Sequence, residues 1–366
     1  VQPDPPQRTI SPSKGFMQVN STVLVTGIAG NLGTRLLPML SEFRVIGADL
    51  RAPEPSALHE FHAMNLGQES VCRELTQLLR ETGARSVIHL ACVVDPQRTG
   101  VFDLERMWQI NVAGTARVME AISVVNRTGG NVRQFIFPSS VSAYGPETPG
   151  PVKEDFPLCA HTLPSAIHKR ESDEVVRYRA ESMGDCCTYI LRPHIFAGAT
   201  MQNYMVGTLR GTALGSSPRA ARMRAAGKRL PLLLPTGQKY LEKRFQFVHV
   251  DDMARLLTYL LHRPPTDPAV TILNVAAHGE PLTVQDCVEI SQATVRKVPG
   301  RGICKAILSA LWKRGISSVP PEAFPYLIGS YTMDTTRLRE FLGRDYPLVF
   351  RYSVEEALRD CFAQSS

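Results

Sequence analysis

The stretch Thr22-Val23-Leu24-Val25-Thr26-Gly27-Ile28-Ala29-Gly30-Asn31-Leu32-Gly33 decides the fold. Its first five residues are apolar or β-branched and predict a buried strand. Glycines then recur at every third position, and residues 31–41 carry helical spacing. Outward from this unit the alternation repeats. Further strands are predicted at 43–49, 86–89, 134–138 and 187–191, with helices at 71–81, 102–125 and 166–182. Strands separated by helices of this length need crossover connections, hence a parallel sheet. The right-handed crossover rule makes it a doubly wound α/β sheet.

Beyond Pro193 the regularity breaks. Residues 198–245, rich in Gly, Arg and Pro, are expected to form part of a smaller mixed C-terminal lobe. Residues 246–250 and 270–275 read as strands around a helix at 252–262. The expected division is a disordered or appended extension at 1–20, with Met17 as the natural start. A sheet domain then takes 21–193 plus about 246–275, and a substrate lobe takes 194–245 plus 276–366. Thr283 with Asp286 forms a capping box, and Asp334 can cap another helix.

The 366 residues suit two domains, and 43% hydrophobic with 20% charged residues is ordinary for a globular chain. The longest apolar runs, such as 230–235, fall far short of the ~20 residues a membrane helix needs. Eight cysteines without a C-x-x-C pair argue against a zinc ribbon or disulfide scaffold. A cytoplasmic protein without a metal site or membrane partner is expected. The net charge of +7 is unevenly placed. Nine basic residues (Arg210, Arg219, Arg222, Arg224, Lys228, Arg229, Lys239, Lys243, Arg244) and one acid, Glu242, give the segment 205–244 a charge of +8. A uniformly basic nucleic-acid binder would not look like this. One local patch facing a cleft favours an anionic small molecule; otherwise it is a solvated basic loop.

Gly27, Gly30 and Gly33 follow a strand and open a helix. There they permit a tight turn, close backbone approach to a pyrophosphate, and helix–strand packing. The helix N-terminus adds its dipole. The second strand ends in Asp49, a carboxylate placed to accept from ribose hydroxyls and to repel a 2′-phosphate, which favours NAD over NADP. Arg51, two residues later, is the competing signal.

Further motifs appear in order: His89-Leu90-Ala91, Asn111-Val112-Ala113-Gly114-Thr115, Ser139-Ser140-Val141-Ser142-Ala143-Tyr144-Gly145, Leu191-Arg192-Pro193, and Phe247-Val248-His249-Val250-Asp251-Asp252. With the glycine loop they make residues 20–365 resemble the extended short-chain dehydrogenase/reductase family of NAD-dependent epimerases and dehydratases. The resemblance implies a Rossmann domain, a homodimer through the helices at 102–125 and 166–182, and hydride chemistry at a hydroxyl-bearing carbon. It further implies NAD contacts from Ala29, Asn31, Leu32, Leu50, Arg51, Asn65, Leu66, Leu90, Ala91 and Cys92, and from Asn111, Pro138, Ser139 and Pro193. Substrate contacts are implied for Val94, Ser140, Ser142, His194, Ile195, Asn203 and Arg244. Ser140 would polarise the reacting oxygen.

In the segment Pro164-Ser165-Ala166-Ile167-His168-Lys169, Lys169 matches the family's Tyr-x-x-x-Lys helix, but Ser165 stands where Tyr is expected. The family Tyr takes the hydroxyl proton, and the Lys lowers its pKa from ~10 while binding the nicotinamide ribose. An alkyl hydroxyl is far less acidic than a phenol and ends several Å short. Three readings stand: a Tyr→Ser variant of an active enzyme, another base (His161, His168, His194 or Glu147), or a non-catalytic NAD-binding sensor or scaffold. The family's sugar-nucleotide members carry an Asn where Ile195 stands and an Arg where Phe245 stands, with Arg244 displaced by one residue. A phosphate-bearing substrate, a sugar nucleotide in particular, is still expected from the basic segment. The apolar segment 303–312, flanked by Lys305, Lys313 and Arg314, reads as a lobe helix or a cover for the substrate cleft.

Overall fold

The computed structural model describes residues 21–54, 58–263 and 268–363, except the side chains of Gln97 and Arg98. The expected extension at 1–20 lies outside them. Seven parallel strands form the central sheet: β1 (Thr22–Thr26), β2 (Arg44–Asp49), β3 (Glu60–Ala63), β4 (Ser86–His89), β5 (Gln134–Pro138), β6 (Cys187–Pro193) and β7 (Val270–Val275). Their spatial order is 7-6-5-4-1-2-3, reversing direction at β1 as a doubly wound sheet requires. Register is continuous, with Val23 beside Val45 and Ser86, and Ile136 beside Tyr189.

Strand periodicity sorts the core. Leu24 faces one apolar layer, formed with α2 (Val71–Thr82), α3 (Gly114–Arg127) and α4 (Pro164–Arg179). Val23 and Val25 face the opposite layer, formed with α1 (Asn31–Leu36) and α5 (Val250–His262). α3 is entered through Leu104–Trp108 and a π-turn at Gln109–Ala113. A π-turn displaces backbone carbonyls from the regular ladder, and here it frees the Asn111 carbonyl to accept from Ser172 Oγ (3.0 Å).

β3 has no counterpart in the sequence reading. Its four residues, Glu60-Phe61-His62-Ala63, sit on the sheet edge and remain half-exposed, so no apolar run announces it. The strand expected at 246–250 is also corrected. Phe247–His249 pairs with Ile195–Ala197, outside the main sheet, because that short partner strand follows β6 after the chain has left the sheet.

The segments expected to form the lobe contribute Leu232, Phe245, Phe324 and Tyr331 to an apolar core that also takes in Val141, Tyr144, Leu163 and Ala166 from the chain after β5. Thr283 and Asp286 form the expected capping box, and Asp334 accepts from the Thr336 amide (2.7 Å) at the start of Thr336–Leu342. Backbone bonds sew the lobe to the chain after β5: Thr148 donates to Ser330 (2.9 Å), Val152 to Thr332 (3.0 Å), and Asp334 to Val152 (2.9 Å). The apolar segment 303–312 is part of a lobe helix, α6 (Gly300–Lys313).

Candidate active site

At the C-terminal end of β1, Gly27 adopts φ +72°, and a Cβ there would lie 2.4 Å from the Ala91 nitrogen. At Gly33 a Cβ would lie 2.3 Å from the Ile28 carbonyl oxygen. Both positions therefore require glycine for backbone approach. Asp49 reaches this loop: its Oδ2 accepts from the Ala29 amide (3.0 Å) and its Oδ1 from the Leu50 amide (2.6 Å). Those bonds hold the carboxylate at the loop, with lone pairs left for hydroxyl donors. Asn31 Oδ1 is buried with no partner among the described residues, while its Nδ2 donates to the Thr200 carbonyl (3.1 Å). An unpaired buried acceptor at a phosphate-type loop marks a place for a ligand or water. These residues fit a dinucleotide.

Along the sheet edge, Leu50 and Arg51 are exposed beyond β2, and Asn65 Oδ1 accepts from the Gly67 amide (3.0 Å) beside buried Leu66. Leu90, Ala91 and Cys92 leave β4 half-buried, and Val94 is exposed. The Asn111 side chain clamps that exit: its Oδ1 accepts from the Val93 amide (2.7 Å) and its Nδ2 donates to the Val93 carbonyl (2.8 Å).

At the end of β5, Lys169 Nζ donates to the Pro138 carbonyl (2.6 Å) and lies 5.0 Å from the Phe137 ring centre. One of its three donors is thereby used and two remain. Ser140 Oγ accepts from the Ser142 amide (3.1 Å) and from Ser142 Oγ (2.9 Å). With both lone-pair directions taken, its own proton is the one free to donate to a substrate oxygen. Ser139 Oγ is buried without a partner among the described residues. Ser165 lies buried in the first turn of α4, one turn before Lys169. Pro193 ends β6 beside Val275.

The alternative bases fare unequally. His168 Nδ1 faces the Asn111 amide nitrogen (3.3 Å), and burial lowers its pKa. Its one acceptor nitrogen is occupied. His194 has both ring nitrogens bound to backbone, at Tyr331 (2.9 Å) and Ile195 (2.9 Å), and burial lowers its pKa to about 4. Glu147 pairs with Lys243 (2.5 Å). His161 is exposed, with Nδ1 on the Cys159 carbonyl (2.9 Å) and Nε2 free of protein partners among the described residues. Tyr144 is not a substitute phenol: Arg192 Nη1 donates to its hydroxyl (2.7 Å), which donates to Asn274 (2.7 Å), and burial pushes its pKa up to about 12. Arg192 itself is fully buried and bidentate to Asp173 (2.9 and 2.8 Å).

Among the residues expected to meet substrate, Asn203 is spent locally. It caps Tyr204–Arg210 by accepting from Val206 (3.0 Å) and donates to the Phe196 carbonyl (2.7 Å). Ile195 is in its short strand, and Arg244 is exposed in Arg244–Phe245. The basic segment is not one patch. Arg229 donates to the carbonyls of Leu209 (3.2 Å), Arg210 (2.8 Å), Ser291 (3.3 Å) and Gln292 (3.4 Å), bridging two helix C-termini. Cations are favoured there by the unpaired carbonyls and the helix dipole. Arg210 binds the Cys361 carbonyl (2.7 Å), and Arg224 the carbonyls of Ala213 and Gly215. Tyr326 and Thr200 are contacts the sequence does not announce. Tyr326 donates to the Ser142 carbonyl (2.9 Å) from 184 residues away, and Thr200 meets Asn31 from 169 residues away.

The family model for the NAD-dependent epimerase/dehydratase family matches residues 23–276. The chain belongs to that family. A curated relative, an uncharacterised epimerase/dehydratase of Staphylococcus saprophyticus, is 24% identical over 171 residues, covering 44% of this chain. The chain spans about half (49%) of that relative's length. Among solved structures, MoeE5 in complex with UDP-glucose and NAD is similar with a TM-score of 0.63 and 21% identity, over 93% of this chain and 97% of that one. The UDP-glucose 4-epimerase of Thermus thermophilus in complex with NAD has a TM-score of 0.65 and 19% identity, over 94% and 100%. At these identities the likeness concerns the fold. Among the described residues no helix is long and apolar enough to cross a membrane, and no cluster of His, Cys, Asp and Glu could hold a metal ion.

Proposed function

We propose that this epimerase/dehydratase-family chain binds NAD and catalyses oxidation, or oxidation followed by reduction, of a secondary alcohol on a phosphate-bearing substrate, a sugar nucleotide in particular. The carrying observation is the pairing of Lys169, anchored at Pro138, with a Ser140 hydroxyl whose proton is free. Gly27, Gly30 and Gly33 with Asp49 would hold the dinucleotide, and bound NAD supplies the hydride acceptor. Lys169 orients the ribose with its two remaining N–H donors. Ser140 donates to the substrate oxygen and favours the charge that develops there. The position of the expected phenol is held by Ser165, so proton removal is the impaired step. Of the second bases named above, His161 keeps an acceptor nitrogen free. Outward faces of α3 and α4, where Tyr178 is 87% exposed, support a homodimer.

The test is calorimetric titration with NAD and NADP, followed by a sugar-nucleotide panel read by NADH absorbance and product NMR. Tighter binding of NAD than NADP, and its loss in Lys169→Met, is expected. Absence of NAD binding would remove the reading. NAD binding without turnover, even after a Tyr is placed at 165, would leave the sensor reading instead.

A further inference from the structure

A cavity of about 250 Å³ lies where the chain leaving the Ser140–Tyr144 turn meets the lobe. One wall is Pro146 and Glu147, immediately after the Tyr144-Gly145 pair. The opposite wall is the lobe segment around Phe324 and Ile328, both nearly fully buried. These walls are locked together. Gly329 packs so closely that a Cβ there would lie 1.8 Å from the Pro146 carbonyl oxygen, and Tyr326, between the two apolar residues, is tied to Ser142. The cavity therefore adjoins the chain that leaves the Ser140–Tyr144 turn, at a junction tied by these two contacts.

Its third side is α6, which contributes Arg301 and Lys305, one turn apart and both exposed. Arg301 Nε donates to the Tyr240 hydroxyl (3.0 Å), which fixes the side chain and leaves its terminal nitrogens without a partner among the described residues, available to an anion. Glu147 also lines the space, but its carboxylate is met by Lys243. The four charges thus sum to an excess of two positive. The first turn of α6 contains no acid, and Gly302 has open space where a Cβ would be.

We infer that this cavity is a substrate subsite for an anionic group carried on an apolar or aromatic body. Phe324 and Ile328 receive the body, and Arg301 and Lys305 receive the charge. The inference rests on the proposed reading of an anionic substrate, and it moves the anion-binding role from the 205–244 segment to α6. In that segment Arg210, Arg224 and Arg229 are committed to backbone carbonyls and Lys243 to Glu147, whereas Arg301 and Lys305 of α6 face a cavity.

A matched pair of dyes tests it on the full chain. 1-Anilinonaphthalene-8-sulfonate carries one anion on an aromatic body, and N-phenyl-1-naphthylamine is its neutral counterpart. Wild-type protein should bind the sulfonate dye at one saturable site. Arg301→Gln with Lys305→Gln should weaken it at least ten-fold and leave the neutral dye within two-fold. Phe324→Leu, chosen to preserve the fold, should weaken both dyes. NAD affinity and Tm should be unchanged in the Gln variant. An unchanged sulfonate affinity in the Gln variant, or no saturable site in the wild type, would overturn the inference. Turnover of a sugar nucleotide with KM unaltered by the two Gln substitutions would sink the subsite while leaving the proposed function intact. A charge-dependent dye site without turnover would do the reverse.

Discussion

Replacing Ser165 by Tyr is the perturbation that separates an impaired catalyst from a cofactor-binding scaffold. Residue 165 is one turn before Lys169 on α4, so a phenol there is brought to the side of the helix that carries the ammonium. A positioned acid–base group typically contributes ~10²–10⁴-fold, which is roughly 3–5 kcal/mol of transition-state stabilisation at about 1.4 kcal/mol per decade. The site has limited room: Ser165 is only 5% exposed. Overpacking by the ring costs about 1–3 kcal/mol of fold stability, or several degrees in Tm for a chain of this size. Ser165→Phe carries almost the same steric load without the hydroxyl. The assay is kcat/KM for a sugar-nucleotide panel at pH 8 in saturating NAD, with Tm measured on the same samples. Ser165→Tyr should exceed both wild type and Ser165→Phe by at least a hundred-fold, while the two variants melt within a degree or two of each other. Equal activity in the Tyr and Phe variants, with NAD binding retained, would refute the assignment of the impaired step to the missing phenol.

Gly27→Ala should abolish NAD binding without unfolding the sheet, since the new methyl collides with the Ala91 backbone and φ +72° is unfavourable for alanine; calorimetry and circular dichroism check this together. Asp49→Ser should narrow the preference for NAD over NADP by ten-fold or more, as the carboxylate that repels a 2′-phosphate is gone; paired titrations with the two cofactors report it. Asp173→Asn should cost about 3–5 kcal/mol in urea unfolding, because it strips the counter-charge from a fully buried arginine. Acid should weaken the fold through His89 and His194, whose pKa values burial lowers to about 3 and about 4. Below the unfolded value of ~6.5 the unfolded chain takes up protons that these native histidines do not. Stability should therefore fall by about 1.4 kcal/mol per group per pH unit from pH 6.5 down to about 4. A flat urea midpoint between pH 6.5 and 5 would contradict that pair of assignments.

What can be read from sequence follows from where the information is local. β1, β4 and β5 are short runs buried on both faces, so their central residues (Val23 to Val25, Val87 and Ile88, Phe135 to Phe137) are apolar whatever lies beside them. The glycine loop and the Lys169 helix are likewise legible, because a single backbone geometry demands those residues at that spacing. β3 is hidden because an edge strand needs no apolar run. The contacts of Tyr326 and Thr200 are hidden because they join segments more than 160 residues apart. Charge is the most misleading signal. Arg210 and Arg229 look like a free anion site in a linear count, and only the fold shows that helix carbonyls already hold them. His194 and Asn203 lie in the expected neighbourhood, yet backbone groups take up their polar atoms.

The backbone seam between residues 148–152 and 330–334 gives the molecule a built-in reporter. The amide protons of Thr148 and Val152 are protected by carbonyls of Ser330 and Thr332, which belong to the lobe, although the donors follow directly from the turn that bears Ser140. Any rocking of the lobe has to break these bonds before it breaks those of the central sheet. Their hydrogen–deuterium exchange is thus a clock for lobe seating, one that can be read with NAD, with an anion, or with neither. It would also register a ligand arriving at the junction in a chain too slow to turn that ligand over.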